Sequence, residues 1–268
     1  MKIVTSLRRI LRECLIARRQ FSPCLPVLRR RLKLCHDYPC EMTTRCGLQF
    51  TAQTYHDLVT AWIIFCRSEY TPGRQSQLIV DLGANIGLFS LWASQHCPQA
   101  KIWAVEPIPE STARLIEHVE RNSLSDRVQV VNKAVANSSG SRLMRSTGPS
   151  QSNGLQPPGT AASDEMVTVD AITLNDLLLS VLETTGRPMI DFLKIDVEGG
   201  EHEFIQSGAA DALRHVNAVG IEYHPNGNKE SLFSVLGAQG FQLTSDIVAH
   251  QNAGVAHFRR QHNATSYE

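Results

Sequence analysis

The sequence predicts a doubly wound α/β sheet, mostly parallel, closed by an antiparallel strand near the C-terminus. Apolar runs of strand length at 78–82, 101–106 and 128–131 alternate with helical spacing at 86–96 and 110–122, and such alternation builds a parallel sheet with right-handed crossovers. The first strand runs into a glycine turn, while the second and a later one at 190–196 end on carboxylates, at the edge where open sheets bind ligands. Two runs near the end, 241–247 and 255–258, have no helix between them and read as an antiparallel pair.

At 268 residues the chain suits one α/β domain with an attached segment, enough to bury about three quarters of its unfolded surface. Its 42% hydrophobic and 19% charged content is that of an ordinary soluble protein. Zero formal net charge gives no argument for a nucleic-acid partner. Seven cysteines, at 14, 24, 35, 40, 46, 66 and 97, show no Cys-x-x-Cys spacing. They therefore argue against zinc and for reduced thiols in the cytoplasm.

Residues 1–45 read as a basic arm of one or two short helices broken at Pro23 and Pro26. Arg8, Arg9, Arg12, Arg18, Arg19, Arg29, Arg30, Arg31 and Lys33 stand there against the single acid Glu13. Leu7, Ile10, Leu11, Cys14 and Leu15 form an apolar stripe able to pack on the domain, on a partner, or on an anionic membrane surface. Arginines at 8, 9 and 12 break the apolar stretches, so neither a signal peptide nor a span of ~20 apolar residues is expected.

The main domain is expected over 46–260, with a polar tail at 261–268. It opens with a strand at 47–51, a helix carrying Leu58, Trp62 and Phe65 on one face, and a polar linker at 70–77. The central strand Leu78-Ile-Val-Asp-Leu82 then enters a turn built on Gly83 and Gly87, where missing side chains permit sharp bending and close approach of a ligand. Glu106, at the tip of the second strand, is placed to accept hydrogen bonds from both hydroxyls of a ribose. A dinucleotide fingerprint would need glycines where this chain has Asn85 and Leu88, so a pyrophosphate, and hence an NAD-linked oxidoreductase, fits badly.

Beyond the third strand come the Asn132-Lys-Ala134 corner and a Ser/Gly/Pro/Asn-rich stretch at 137–165 with at most one strand, near 142–145. A loop this long suggests a lid or binding loop. A strand at 166–169 and a helix from about 170 follow, then a strand delivering Asp196 and Glu198 to its end, a turn at Gly199 and Gly200, and a helix near Glu201. Four acids, at 196, 198, 201 and 203, thus gather near the glycine turn. A helix at 229–238 precedes the closing pair.

The pattern Asp-x-Gly-x-x-x-Gly with an acid-tipped second strand resembles the loop of class I S-adenosylmethionine-dependent methyltransferases. Lys194-Ile-Asp-Val-Glu-Gly199, with Glu201 and Gly208, resembles the signature of the FkbM family within that class. Val80-Asp-Leu-Gly-Ala-Asn-Ile-Gly87, Val105-Glu-Pro107, Asn132-Lys-Ala134, the 167–178 stretch and Ile221-Glu-Tyr-His224 match it in order and spacing, over roughly 48–258. The resemblance implies the Rossmann-like fold, S-adenosylmethionine as cofactor, and an oxygen acceptor on a sugar, glycan or natural-product-like small molecule. It assigns cofactor binding to Asp81, Gly83, Asn85, Gly87, Glu106 and Asn132, with Asp196 at the methionine end or facing the acceptor.

Methyl transfer from a sulfonium needs alignment, exclusion of water and, for a hydroxyl acceptor, a base. His224 is the first candidate base because its ordinary pKa of about 6.5 suits proton abstraction at neutral pH. Asp196 and Glu201 come second. No metal is assigned: the carboxylates are of the kind that holds magnesium, yet acids also collect at helix N-termini. Lys194, in a buried strand, is expected to pair with one of the acids. A different class of function, a non-catalytic scaffold recruiting partners through its basic arm, would keep the same fold.

Overall fold

The structure, a computed structural model, describes residues 12–145, 163, 166–198, 200–206, 210–225, 227–250 and 253–261. Helix α1 covers 12–20 and α2 Leu25–Arg31; strands β1 Cys40–Thr43 and β2 Gln49–Ala52 pair as an antiparallel hairpin. Helix α3, Tyr55–Ala61, runs into a wider π turn at Trp62–Arg67. There follow β3 Leu78–Leu82, α4 Leu88–His96, β4 Lys101–Val105, α5 Pro109–Arg121, β5 Val128–Val131, β6 Ala134–Ala136, β7 Gly140–Arg145 and β8 Met166–Thr173. The chain closes with α6 Leu174–Thr185, β9 Phe192–Ile195, α7 Glu201–Gln206, α8 Ala210–Leu213, β10 Ala218–Tyr223, α9 Lys229–Ala238, β11 Phe241–His250 and β12 Ala253–Arg260.

Seven strands form the main sheet in the order β11-β12-β10-β9-β3-β4-β5. β5, β4, β3, β9 and β10 are parallel, and β12 runs antiparallel to both β10 and β11. This is the mostly parallel α/β sheet, with its antiparallel C-terminal strand, that the sequence predicts. A second sheet, β6-β8-β7, stands beside it. Asp170–Thr173, expected in a helix, instead extends β8, because β6 and β7 both pair with those residues; the helix starts one residue after Thr173, whose hydroxyl caps it.

Every residue of β3 is buried, as both faces of a parallel sheet are covered. The period-two alternation divides it between two cores: Ile79 packs with α3, α4 and the N-terminal segment, and Leu78, Val80 and Leu82 pack with α6 and α9.

The boundary expected at residue 45 does not exist as a division, since it falls inside the β1–β2 hairpin. Ala17, Phe21, Val27 and Leu28 belong to the main core, and Phe21 stacks edge-on to Phe65. The described part of the basic segment, 12–45, is thus built into the domain rather than appended to it. Of the expected apolar stripe, Cys14 packs against the core while Leu15 is exposed; Leu7, Ile10 and Leu11 lie outside the described residues, as do 146–162, Gly199, Gly208, the Glu203 side chain and the tail from 262. All seven cysteines are free, and no described helix is long and apolar enough to cross a membrane.

Buried His118 ties β2 to the glycine turn. Its Nδ1–H donates to the Ile86 carbonyl at 2.8 Å and its Nε2 accepts the Thr51 amide at 3.0 Å, which fixes the neutral tautomer. Burial accordingly lowers its pKa. Arg114 adds an ion pair to Asp57 at 2.7 Å and a bond to the Thr51 carbonyl.

Sheet order reverses between β3 and β9, whose register sets Asp81 opposite Lys194. The turn after β3 therefore lies against the end of β9. A Cβ on Gly83 would sit 1.6 Å from the Asp196 carbonyl oxygen, and one on Gly87 would sit 2.3 Å from Leu115. Both glycines make room for neighbouring protein, and both have positive φ, +72° and +86°. Gly83→Ala is expected to destabilise by about 4 kcal/mol, the range of severe packing defects, and so to lower the thermal midpoint by about 10 °C. A melting curve like the wild type's would contradict this.

Candidate active site

A cavity of about 440 Å³ opens at the carboxyl ends of β3, β4, β9 and β10, at the reversal of strand order. Gly83, Asn85 and Ile86 of the turn, Leu88 at the start of α4, Glu106 and Ile108 after β4, Val135 and Met144 of the small sheet, and Asp196, Glu198, Glu222 and His224 line it. Thr60, Ile63 and Ile64 enter from α3 and the π turn, a helical widening often found beside functional sites.

Glu106 anchors one wall. Its Oε2 accepts the Asn85 amide at 2.8 Å and its Oε1 the Ile108 amide at 2.9 Å, so one carboxylate joins the turn to the strand end. Each oxygen keeps a lone pair for a further donor. Burial pushes this carboxyl up to about 7, against the pull of the two amides and of Lys194. Asn85 holds the turn with φ +50°, a conformation asparagine tolerates better than most residues.

Lys194 stands at the centre with its ammonium shared among four acceptors. Asp81 lies 3.1 Å away and Asp196 3.3 Å, with the Leu82 and Gly83 carbonyls at 3.3 and 3.2 Å. Burial works against its charge, but the two aspartates outweigh it and raise the pKa. The expected pairing of Lys194 with the acids is thus observed. Asp81 itself is fully buried and does not line the cavity; it pairs with Lys194 and accepts the Ser90 hydroxyl at 2.7 Å.

The opposite wall is acidic. Glu222 and His224 lie two residues apart and so share a strand face, and the β9–β10 register brings Asp196 beside them. One ligand atom from each of the three lies within 4.8 Å of the others, a spacing compatible with a metal ion. Tyr70 donates its hydroxyl to Glu222 at 3.0 Å. Burial, with Asp196 adding to it, pushes Glu222 up to about 8, and burial likewise raises Glu198. His224 has a carboxylate at each ring nitrogen, Glu201 at 3.0 Å from Nδ1 and Glu198 at 3.5 Å from Nε2. Burial opposes its protonation, but these partners outweigh it and carry the imidazole up to about 11.

Of the residues expected in the site, Gly83, Asn85, Glu106, Asp196 and His224 share the cavity. Gly87 packs on Leu115 behind the turn. Asn132 does not reach the cavity: its amide is spent on the Glu106 and Pro107 carbonyls and the Thr112 hydroxyl, bracing the strand end. Glu201 is fully buried behind His224, where it also accepts the His224 amide.

Residues 81–251, well over half of the chain, match the family described as "Methyltransferase FkbM domain". The chain belongs to the FkbM methyltransferase family. It is 30% identical over 194 residues to the methyltransferase sdnD of Sordaria araneosa, covering 63% of this chain and 74% of that one. It is 27% identical over 202 residues to the 31-O-demethyl-FK506 methyltransferase FkbM of Streptomyces tacrolimicus, covering 65% and 75%. A solved FkbM methyltransferase from Methylobacillus flagellatus aligns with 95% of this chain and 60% of its own at 15% identity, TM-score 0.47.

Membership in the FkbM family sets aside the oxidoreductase reading and makes the chain a methyltransferase. Tyr70, expected in a polar linker, is a buried cavity residue that reaches Glu222 across 152 positions, a contact with no local signal. Glu222, expected only as part of a strand end, also lines the cavity; its two-residue offset from His224 is the signal in the sequence that points to it.

Proposed function

We propose that this FkbM-family protein is an S-adenosylmethionine-dependent O-methyltransferase whose acceptor is a hydroxyl on a sugar, glycan or natural-product-like small molecule. The observation that carries the reading is the single cavity with a two-amide carboxylate, Glu106, on one wall and an acidic proton-accepting wall opposite. The name of the Streptomyces relative points the same way, since it specifies a methyl missing from an oxygen.

The residues present fit the cofactor. Glu106 has lone pairs left for a ribose diol, Ile86, Ile108 and Val135 offer an apolar wall, and the carboxylates suit a ligand bearing sulfonium and ammonium charges. When bound, the cofactor supplies an activated methyl group. Lys194 holds the turn by its carbonyls and so sets Glu106's partner, Asn85, in place. Asp196, Glu198 and Glu222 supply proton acceptors for the hydroxyl. A carboxylate faces each ring nitrogen of His224, the expected base, and favours its protonated form, so the acids beside it are the readier acceptors.

Calorimetric titration with S-adenosylmethionine tests the cofactor, and labelled-methyl transfer into small-molecule extracts, read by mass spectrometry, tests the acceptor. Label in protein or nucleic acid alone would overturn the acceptor class. A pH series adds a signed check. Glu106 must be ionised to accept two hydroxyls, and its carboxyl stands at about 7 in the free protein. Cofactor affinity is therefore expected to rise from pH 6 to 8 with proton release, and Glu106→Gln to flatten that rise. An affinity that falls with pH would contradict it.

A further inference from the structure

The acidic wall gathers three carboxylates around one imidazole, His224. Asp196, Glu198 and Glu222 all line the cavity, and the nearby ammonium, Lys194, is committed to Asp81, Asp196 and two carbonyls of the turn. The Glu198 Oε2 is enclosed and has no hydrogen-bond partner. It faces the same His224 Nε2 that lies 3.9 Å from Glu222.

His224 is also held in a particular way. Glu201, fully buried, takes both the main-chain amide of His224 at 3.1 Å and its Nδ1 at 3.0 Å. The ring is thereby fixed with Nε2 as the nitrogen turned to the other carboxylates. A carboxylate behind a histidine, setting its tautomer and orientation, is the outer support that metal-binding histidines have.

We propose that Asp196, Glu222 and His224 hold one hard divalent cation, magnesium or manganese, on the acidic wall of the cavity. Two carboxylates and one imidazole from adjacent parallel strand ends occupy one side of such an ion and leave its remaining positions open to the cavity, the ion taking the place of the His224 Nε2 proton, which is released to solvent. Glu201 is then a positioning residue that acts through His224. Under the methyltransferase reading, an acceptor hydroxyl bound to the ion would lose its proton more readily. Only that role rests on the proposed function; the binding itself does not.

Manganese titrated into the full chain and followed by electron paramagnetic resonance tests this, with magnesium as competitor. One manganese per chain is expected, displaced by magnesium, with affinity at least tenfold weaker in Glu222→Gln and in His224→Gln. Pulsed spectra of the wild-type complex should show one imidazole nitrogen, lost in His224→Gln. Cofactor calorimetry and a melting curve on each variant report whether the fold and the neighbouring site survive. No bound manganese, equal affinity in both variants, or no imidazole coupling would overturn the proposal. Manganese binding that depends on Glu222, in a chain that fails to bind S-adenosylmethionine, would support the cation site while removing the methyl-transfer reading.

Discussion

Glu106→Ala is expected to weaken S-adenosylmethionine binding by about 100-fold or more. Two hydrogen bonds from a ribose to a charged group contribute about 1.5–3 kcal/mol each, and the lower end of that sum already exceeds two decades of affinity. The substitution also leaves the Asn85 and Ile108 amides without their partner, loosening the turn beside the cofactor. Stability should change much less than affinity. Burial already opposes ionisation of this carboxyl, which stands at about 7, so the folded chain gains little from the charge. Calorimetry at pH 8 together with a melting curve separates the two effects. Affinity within a few-fold of wild type would mean that the ribose is not held here.

Lys194→Met is expected to act through the fold. It removes the cation between Asp81 and Asp196 and strands Asp81, which is fully buried. Breaking a buried pair from one side costs about 3–5 kcal/mol, which for a chain of this size lowers the thermal midpoint by about 10 °C. The Leu82 and Gly83 carbonyls lose their donor as well, so cofactor binding should fall with stability. Adding Asp81→Asn to Lys194→Met should recover part of the midpoint, because the stranded charge is gone. No recovery in the double variant would show that the ammonium acts through the carbonyls alone.

The fold was legible because its signals are local. Apolar runs of strand length at 78–82 and 101–105, glycines where φ is positive, and a strand end at Glu106 all sit within short windows. The site was legible only where a motif residue also faces the cavity. Asp81 and Gly87 belong to the motif yet serve its interior, one pairing Lys194 and the other admitting Leu115. Asn132 braces a strand end for the same reason: position in a motif does not say which way a side chain turns. Tyr70 and the docking of 12–45 onto the core depend on contacts far apart in the chain, with Phe21 on Phe65 and Arg31 over the Trp62 ring as examples. No local pattern encodes such pairings. The surroundings of His224 are no more local, since the two carboxylates that face its ring come from α7 and the turn before it.

The cavity beside Glu106 is expected to take an adenosyl sulfonium. The decisive experiment titrates the full wild-type chain with S-adenosylmethionine, then repeats the titration with the cavity preloaded with S-adenosylhomocysteine. Saturable one-to-one heat at micromolar concentration, abolished by the preload and by Glu106→Ala, is the predicted result. Absence of heat from a chain that melts cooperatively, or heat indifferent to both, would contradict it.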